Sequence, residues 1–127
     1  GVFSGMNLNN SNQADIARAM IEGMLAGLAD AVDSLIALGV NVNRILLIGG
    51  AAKNPAIPTI ASALFGREVL VPPAGEYVAD GAAKQAAWAL LGEMPTWDLG
   101  KVSHHHSQAT PDVMDKYRTL RDNTANW

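Results

Sequence analysis

The sequence predicts an α/β fold in which a few parallel strands are covered by helices. Residues 45–48 form a short apolar run, which is typical of a strand buried on both faces of a parallel sheet. Segments with the apolar spacing of helices alternate with such runs along the chain. Hydrophobic residues make up 49% of the 127 residues, with only three Trp, two Tyr and two Phe. This composition, rich in small residues, favours close packing of helices on a sheet.

The first part of the chain predicts a loop followed by one long amphipathic helix. Residues 1–12 are rich in Gly, Asn and Ser and are expected to be irregular. The helix is predicted from Gln13 to about Leu38, with Asn12 as its N-terminal cap and Gly39 ending it. Its apolar stripe consists of Ile16, Met20, Met24, Leu28, Val32 and Leu35.

Two glycines lie one turn apart within this predicted helix. Gly23 and Gly27 both lower helix propensity, so their presence indicates a packing reason. We predict that another element packs closely against them.

The remaining elements alternate between strand and helix. They are a strand over 44–48, a helix over 55–64, a strand over 68–71, a helix over 76–91, an extended tail over 96–110 and a short helix over 111–121. A helical crossover between two strands favours a right-handed, parallel pair. The Ala-rich helix over 76–91 is predicted to be tightly buried. Because a sheet of two parallel strands leaves unpaired edges, the chain is expected to be a fragment of a larger domain.

Composition and charge exclude several classes of partner. The formal net charge of −3 provides no basic surface for nucleic acid, and no apolar run is long enough to span a bilayer. The chain has no cysteine, and its first residues lack the regions of a signal peptide. A cytoplasmic protein with a small-molecule partner is therefore expected.

The glycine pair after the first predicted strand is a candidate ligand site. Gly49 and Gly50 allow a sharp turn and the close approach of a ligand, while Asn54 and Pro55 suit the start of the next helix. The carboxyl end of such a strand, beside a helix N-terminus, is where α/β sheets bind phosphates and nucleosides. A turn that only reverses the chain direction is the alternative interpretation of this pattern.

Two longer motifs resemble the C-terminal domain of the FGGY carbohydrate kinases. The first is GVFSGM at 1–6, followed by an eight-residue spacer and DIARAMIE at 15–22, which is similar to a signature of that family. The second is LIGGAAKNP at 47–55, which is similar to its adenosine-binding segment, followed by VLVP at 69–72 and EYVADGAA at 76–83. The resemblance covers roughly residues 1–92 and is strongest to the xylulokinase branch.

This resemblance implies part of an actin/hexokinase-like (ribonuclease H-like) ATPase domain. Residues 1–95 are then the C-terminal portion of the nucleotide-binding domain, and residues 96–127 are a tail with a short helix. The implied reaction transfers the γ-phosphate of ATP to a sugar hydroxyl, with D-xylulose as the acceptor. The catalytic Asp, both phosphate-binding loops, the sugar contacts and most Mg²⁺ contacts are implied to lie in the missing N-terminal part. The isolated piece is therefore expected to be inactive.

The resemblance also implies the cofactor-binding residues. The backbone of Gly49, Gly50 and Ala51 is expected to pass beside the ribose and α-phosphate of ATP. The side chain of Asn54 is expected to hydrogen-bond the adenine, because an amide offers both a donor and an acceptor. For Asn54, a plain helix cap is the alternative.

Other charged residues have structural interpretations. Lys53 is expected to be solvated rather than to bind phosphate, and Arg18 and Glu22 to form a surface ion pair. Asp80 is expected to interact favourably with the helix dipole.

The histidines and tryptophans are also expected to have no site role. His104, His105 and His106 are predicted to lie in a solvated loop rather than to ligate a metal, because adjacent side chains of an extended segment point in alternating directions. Trp88 and Trp97 are predicted to be packing residues.

Two functions of other classes remain open from the sequence. One is a non-catalytic nucleotide or metabolite sensor, and the other is a dimerisation scaffold in which an open sheet edge pairs with a second copy. The sequence upstream of this chain would distinguish a sensor from a kinase, since only a kinase needs the catalytic Asp and the phosphate-binding loops. A dimer that ignores nucleotide would favour the scaffold.

Overall fold

The computed structural model describes residues 1–125, so the last two residues of the predicted tail lie outside the described residues. The elements in chain order are α1 (Gln13–Ala37), β1 (Ile45–Leu46), a 3₁₀ turn (Gly50–Lys53), α2 (Ala56–Phe65), β2 (Val69–Val71), α3 (Tyr77–Leu91), β3 (Ser103–His105) and α4 (Pro111–Thr124). The predicted α/β class and the order of its helices are confirmed.

The three strands form one small sheet in the order β1-β2-β3. β1 and β2 are parallel, with Ile45 opposite Val69, as the crossover predicted. β3 was not predicted: it pairs antiparallel with β2, and Leu70 lies opposite His104. The Ser103 hydroxyl donates to the carbonyl oxygen of Val71 at 3.1 Å, which adds a side-chain contact to this pairing.

The hydrophobic core lies where α1, α2, β2 and α4 meet. Its buried members are Leu25, Ala26, Ala29, Ile57, Ile60, Ala61, Leu64, Val69 and Met114. Alanines at the α1 and α2 contact allow the two helices to pack closely, since a methyl group occupies little space between the backbones. Gly66 ends α2 in the left-handed conformation with φ +58°, as its position predicted.

The α1 helix buries a different face from the one that its apolar stripe predicted. Leu25, Ala26 and Ala29 are buried, whereas Met20 and Met24 remain 61% and 52% exposed. The predicted helix is confirmed, but its apolar stripe is not the buried face, because α1 is apolar on two sides and α2 and α4 cover only one of them. Of the two glycines, a Cβ on Gly27 would lie 3.4 Å from the Tyr117 hydroxyl, which confirms close packing there. A Cβ on Gly23 would meet nothing within 4 Å.

The α3 helix is exposed, which contradicts the predicted tight burial. None of its 15 residues is buried. Trp88 is 46% exposed and Trp97, beyond the end of the helix, is 44% exposed, so neither is a core residue among the described ones. The small residues predicted a packed helix, but few described residues surround α3.

The α4 helix is held on α1 by both apolar and charged contacts. Met114 is buried in the core, and Arg118 forms an ion pair with Asp33 at 2.7 Å. The Arg121 guanidinium pairs with Asp122 and Asp30, and these hydrogen bonds raise the pKa of Arg121. These contacts involve the segment predicted as a tail; its boundary at residue 95 stays a prediction.

Asn12 caps α1 as predicted, and its removal tests this contact. Its side-chain oxygen accepts from the backbone N–H groups of Ala14 and Asp15, both at 3.0 Å. We expect Asn12→Ala to lower the free energy of unfolding by about 1 kcal/mol in urea denaturation followed by circular dichroism. Asn9→Ala is the control, because the Asn9 side chain makes no hydrogen bond with the described residues. Equal stability of the two variants would contradict the capping role.

Within residues 1–125, no helix has the combination of length and apolar character that crossing a membrane requires.

Candidate functional site

The predicted nucleotide site is a surface loop at the carboxyl end of β1. The parallel pairing continues one residue beyond the strand, since the Leu47 N–H donates to the Leu70 carbonyl oxygen at 2.8 Å. The chain then leaves the sheet through Gly49 and Gly50 and enters the 3₁₀ turn that precedes α2. The loop thus occupies the edge of a parallel sheet at which α/β proteins bind their ligands.

Only the first glycine of the pair is required by the backbone conformation. Gly49 has φ +98° and ψ 178°, a backbone conformation that is essentially restricted to glycine. Gly50 has no positive φ, and a Cβ at this position would meet nothing within 4 Å. The backbone conformation therefore accounts for the glycine at 49, whereas the described residues leave open space in front of Gly50.

Backbone hydrogen bonds between residues three apart in the sequence give the loop a defined shape. The Ala52 N–H donates to the carbonyl oxygen of Gly49 at 3.2 Å, and the Asn54 N–H donates to that of Ala51 at 3.1 Å. Gly49, Gly50, Ala51 and Asn54 are all exposed. The four predicted site residues consequently lie together on one accessible loop.

Only one end of the Asn54 side-chain amide is hydrogen-bonded within the described residues. Its Oδ1 accepts from the Ala56 N–H, the first of α2, at 3.0 Å, so the predicted capping bond is present although the helix begins one residue later than predicted. Its Nδ2 has no hydrogen-bond partner among the described residues. Capping therefore orients the side chain and leaves two N–H donors facing solvent.

The other predicted residues lie apart from this loop or have structural contacts. Arg18 Nε pairs with Glu22 Oε1 at 2.5 Å, as predicted. Asp80 lies in the first turn of α3, and Lys53 is exposed at the end of the 3₁₀ turn.

Of the three histidines, only His106 lies in an exposed loop as predicted. His104 and His105 belong to β3, and His104 Nδ1 lies 3.0 Å from Glu68 Oε1 on the neighbouring chain segment. His105 Nε2 lies 3.1 Å from the Ser103 hydroxyl. Strand pairing brought Glu68 to this histidine, although the two are far apart in the sequence. No group of three or more His, Cys, Asp or Glu side chains in residues 1–125 is placed to hold a metal ion.

A large groove lies between α1, α4 and the first residues, and the sequence did not predict it. It has a volume of about 1220 Å³, and its lining includes Phe3, Met20, Met24 and Leu120. The exposed methionines on α1 were visible as part of its apolar stripe. The docking of α4 beside them depends on tertiary contacts, for which the sequence carried no local signal.

Comparison with known proteins assigns this chain to a protein family. Residues 1–90 match the model for the C-terminal domain of the FGGY family of carbohydrate kinases. The chain belongs to this family, and its fold is the actin/hexokinase-like fold of sugar kinases.

Individual relatives place the chain near the xylulose kinases. It is 32% identical over 116 residues to the xylulose kinase of Streptomyces coelicolor, which covers 91% of this chain and 23% of the relative. It is 35% identical over 97 residues to a ribulokinase of Vibrio parahaemolyticus, covering 76% of this chain and 17% of the relative. The crystal structure of the xylulose kinase of Bifidobacterium adolescentis matches with a TM-score of 0.76 and 42% identity, over 94% of this chain and 24% of that one. The chain therefore spans about a quarter or less of the length of these relatives.

Proposed function

We propose that this chain is the ATP-binding, C-terminal piece of a sugar kinase that phosphorylates D-xylulose to xylulose 5-phosphate. The observation that carries the nucleotide part is the exposed loop over 49–54, in which the described residues leave the space in front of Gly50 unoccupied. The similarity to xylulose kinases supports the sugar.

Backbone atoms of the loop would contact the sugar-phosphate part of ATP. A ligand that passes within contact distance of Gly50 explains a glycine that neither the backbone conformation nor neighbouring side chains require. We place the ribose and α-phosphate beside Gly49, Gly50 and Ala51.

Asn54 would bind the base as a hydrogen-bond donor. Its oxygen already accepts from the Ala56 N–H, whereas Nδ2 has no partner among the described residues, so we place the contact with the base at Nδ2. A ring nitrogen of adenine that carries no hydrogen is the matching acceptor. Capping and base binding are thus compatible, and the cap fixes the direction of the donor.

The Mg²⁺ of the reaction does not fit the described residues. Since residues 1–125 contain no group of carboxylates, histidines or cysteines placed to hold a metal, the ion would be held by the nucleotide phosphates and the upstream part of the protein. The loop itself would supply binding and orientation of ATP.

The rest of the catalytic machinery would belong to the upstream part of a longer protein. We propose that this part provides the catalytic Asp, the phosphate-binding loops and the sugar contacts, and that residues 1–95 complete the nucleotide domain while 96–127 form its tail. The isolated chain would then bind nucleotide without phosphorylating sugar, and the whole protein would act in the cytoplasm.

A titration of the 127-residue chain with Mg-ADP, followed by amide NMR, tests the nucleotide site. We expect chemical-shift changes centred on Gly49, Gly50 and the Asn54 side-chain amide, with weak affinity because only one wall of the site is present. Mg-GDP is the control for the base, because N1 of adenine is an acceptor whereas N1 of guanine carries a hydrogen.

Each result of this titration has a defined meaning. Larger shifts with ADP would support a donor contact from Asn54 to N1, and equal shifts would restrict that contact to the other ring nitrogens. A folded chain without shifts in the loop for either nucleotide would contradict the proposed site. It would then favour the scaffold function.

A further inference from the structure

The second apolar side of α1 forms an exposed surface that we call the outer face. It consists of Met20, Met24, Leu28 and Leu35, which are 61%, 52%, 52% and 47% exposed. At 100° per residue these side chains fall within an arc of about 80° on the helix. They are large and apolar, and the described residues leave all of them about half accessible to water.

The outer face continues into the groove beside α4. Met20 and Met24 line this groove together with the first five residues of the chain and Leu120 of α4. Val2 and Phe3 are themselves 44% and 53% exposed. The outer face therefore continues into the groove through Met20 and Met24, and the N-terminal segment lines the groove beside them.

A helix that is apolar on two sides is typically buried on two sides. On α1, one side packs on α2 and α4 through Leu25, Ala26 and Ala29, whereas the outer face has no partner among the described residues. Contiguous apolar surface of this kind marks an interaction site in a soluble protein. Methionine suits such a contact because its flexible side chain adapts to the partner.

The position of the N-terminal segment identifies what covers the outer face. The relatives are about four times as long as this chain, and the family model that matches residues 1–90 describes a C-terminal domain, so most of their length precedes it. We propose that the polypeptide preceding Gly1 in the longer protein packs on the outer face and fills the groove. This inference rests on the proposed function only in assuming that the chain is part of a longer kinase.

A second copy of the chain is a weaker match to the same surface. Gly1 lines the groove, so any polypeptide joined to it emerges inside the contact area. A second copy would have to bury this attachment point as well as the outer face.

Cysteine labelling measures whether the outer face is covered. The chain has no natural cysteine, so Met24→Cys introduces a single reactive thiol. Arg67→Cys is the control, because Arg67 is exposed between α2 and β2. Each variant is prepared in the isolated chain and in a hybrid, in which the upstream part of the Bifidobacterium adolescentis kinase is joined to this chain at Gly1. The rate of maleimide reaction at each introduced cysteine is followed by peptide mass spectrometry.

We expect the cysteine at 24 to react as fast as the one at 67 in the isolated chain, and at least about tenfold more slowly in the hybrid. The cysteine at 67 should react at similar rates in both proteins. If the hybrid does not fold, a cysteine is introduced in the B. adolescentis kinase at the residue aligned with Met24. We expect it to react as slowly as the cysteine at 24 would in the hybrid.

Two results would overturn this proposal. One is fast labelling at position 24 in the folded hybrid or at the aligned residue of the natural kinase. The other is protection in the isolated chain that grows with protein concentration, which would assign the outer face to a second copy. Neither readout involves nucleotide, so failure of the ATP site leaves this test unaffected.

Discussion

Met114→Ala is expected to lower the free energy of unfolding of the chain by about 2–5 kcal/mol. Met114 is only 4% exposed and contacts the core formed by α1, α2 and β2, so truncation removes buried apolar surface and leaves a cavity. Since small domains are stable by only about 5–15 kcal/mol, the loss is large enough to unfold part of the population. Urea denaturation followed by circular dichroism measures it.

Met94→Ala is the matched control for this substitution. Met94 follows α3 and is 52% exposed, so the same chemical change there is expected to alter stability by less than about 0.5 kcal/mol. Similar stabilities of the two variants would mean that α4 does not complete the core. The result bears directly on the predicted boundary at residue 95, because Met114 lies beyond it.

Gly50→Val is expected to weaken nucleotide binding without unfolding the chain. The φ of Gly50 is not positive and a Cβ there would meet nothing within 4 Å, so we expect the valine side chain to extend into the space assigned to ATP. Overpacking of that space would cost about 1–3 kcal/mol of binding free energy, which corresponds to a loss of affinity of about 5- to 150-fold. The measurements are the Mg-ADP titration of the isolated chain and, in the hybrid, the KM for ATP at saturating D-xylulose.

Gly23→Ala provides the control for this second prediction. A Cβ on Gly23 also meets nothing within 4 Å, but Gly23 lies on α1 and not in the loop. We expect unchanged affinity for Mg-ADP together with a stability gain of about 0.5–1 kcal/mol from the higher helix propensity of alanine. Undiminished ADP binding by Gly50→Val, with the same melting curve as the original chain, would contradict the placement of ATP beside residue 50.

The ADP titration of Gly50→Val and the labelling of the outer face are informative in combination. Loss of ADP binding in Gly50→Val with protection at position 24 would support both the nucleotide loop and the contact with upstream polypeptide. Protection without ADP binding would support the contact alone. Each proposal can therefore fail without the other.

Sequence determined most of the local structure of this protein. The caps at Asn12 and Asn54 and the ends of the helices at Gly66 and Gly92 follow from interactions between residues close in the chain. The parallel pairing of β1 with β2 follows from the helical crossover that joins them. The motifs around the glycine loop also led to the right family, because each is a contiguous segment whose residue types are set by local backbone demands.

Tertiary structure alone decided which apolar faces meet and which distant residues pair. The stripe through Met20 and Met24 is not the buried face of α1, because α1 has two apolar sides and hydrophobic periodicity does not say which neighbour covers either of them. Pairing of β3 with β2 brought His104 to Glu68, and docking of α4 placed Met114 in the core. These contacts join segments far apart in the sequence, where burial depends on the packing of whole elements rather than on local propensity.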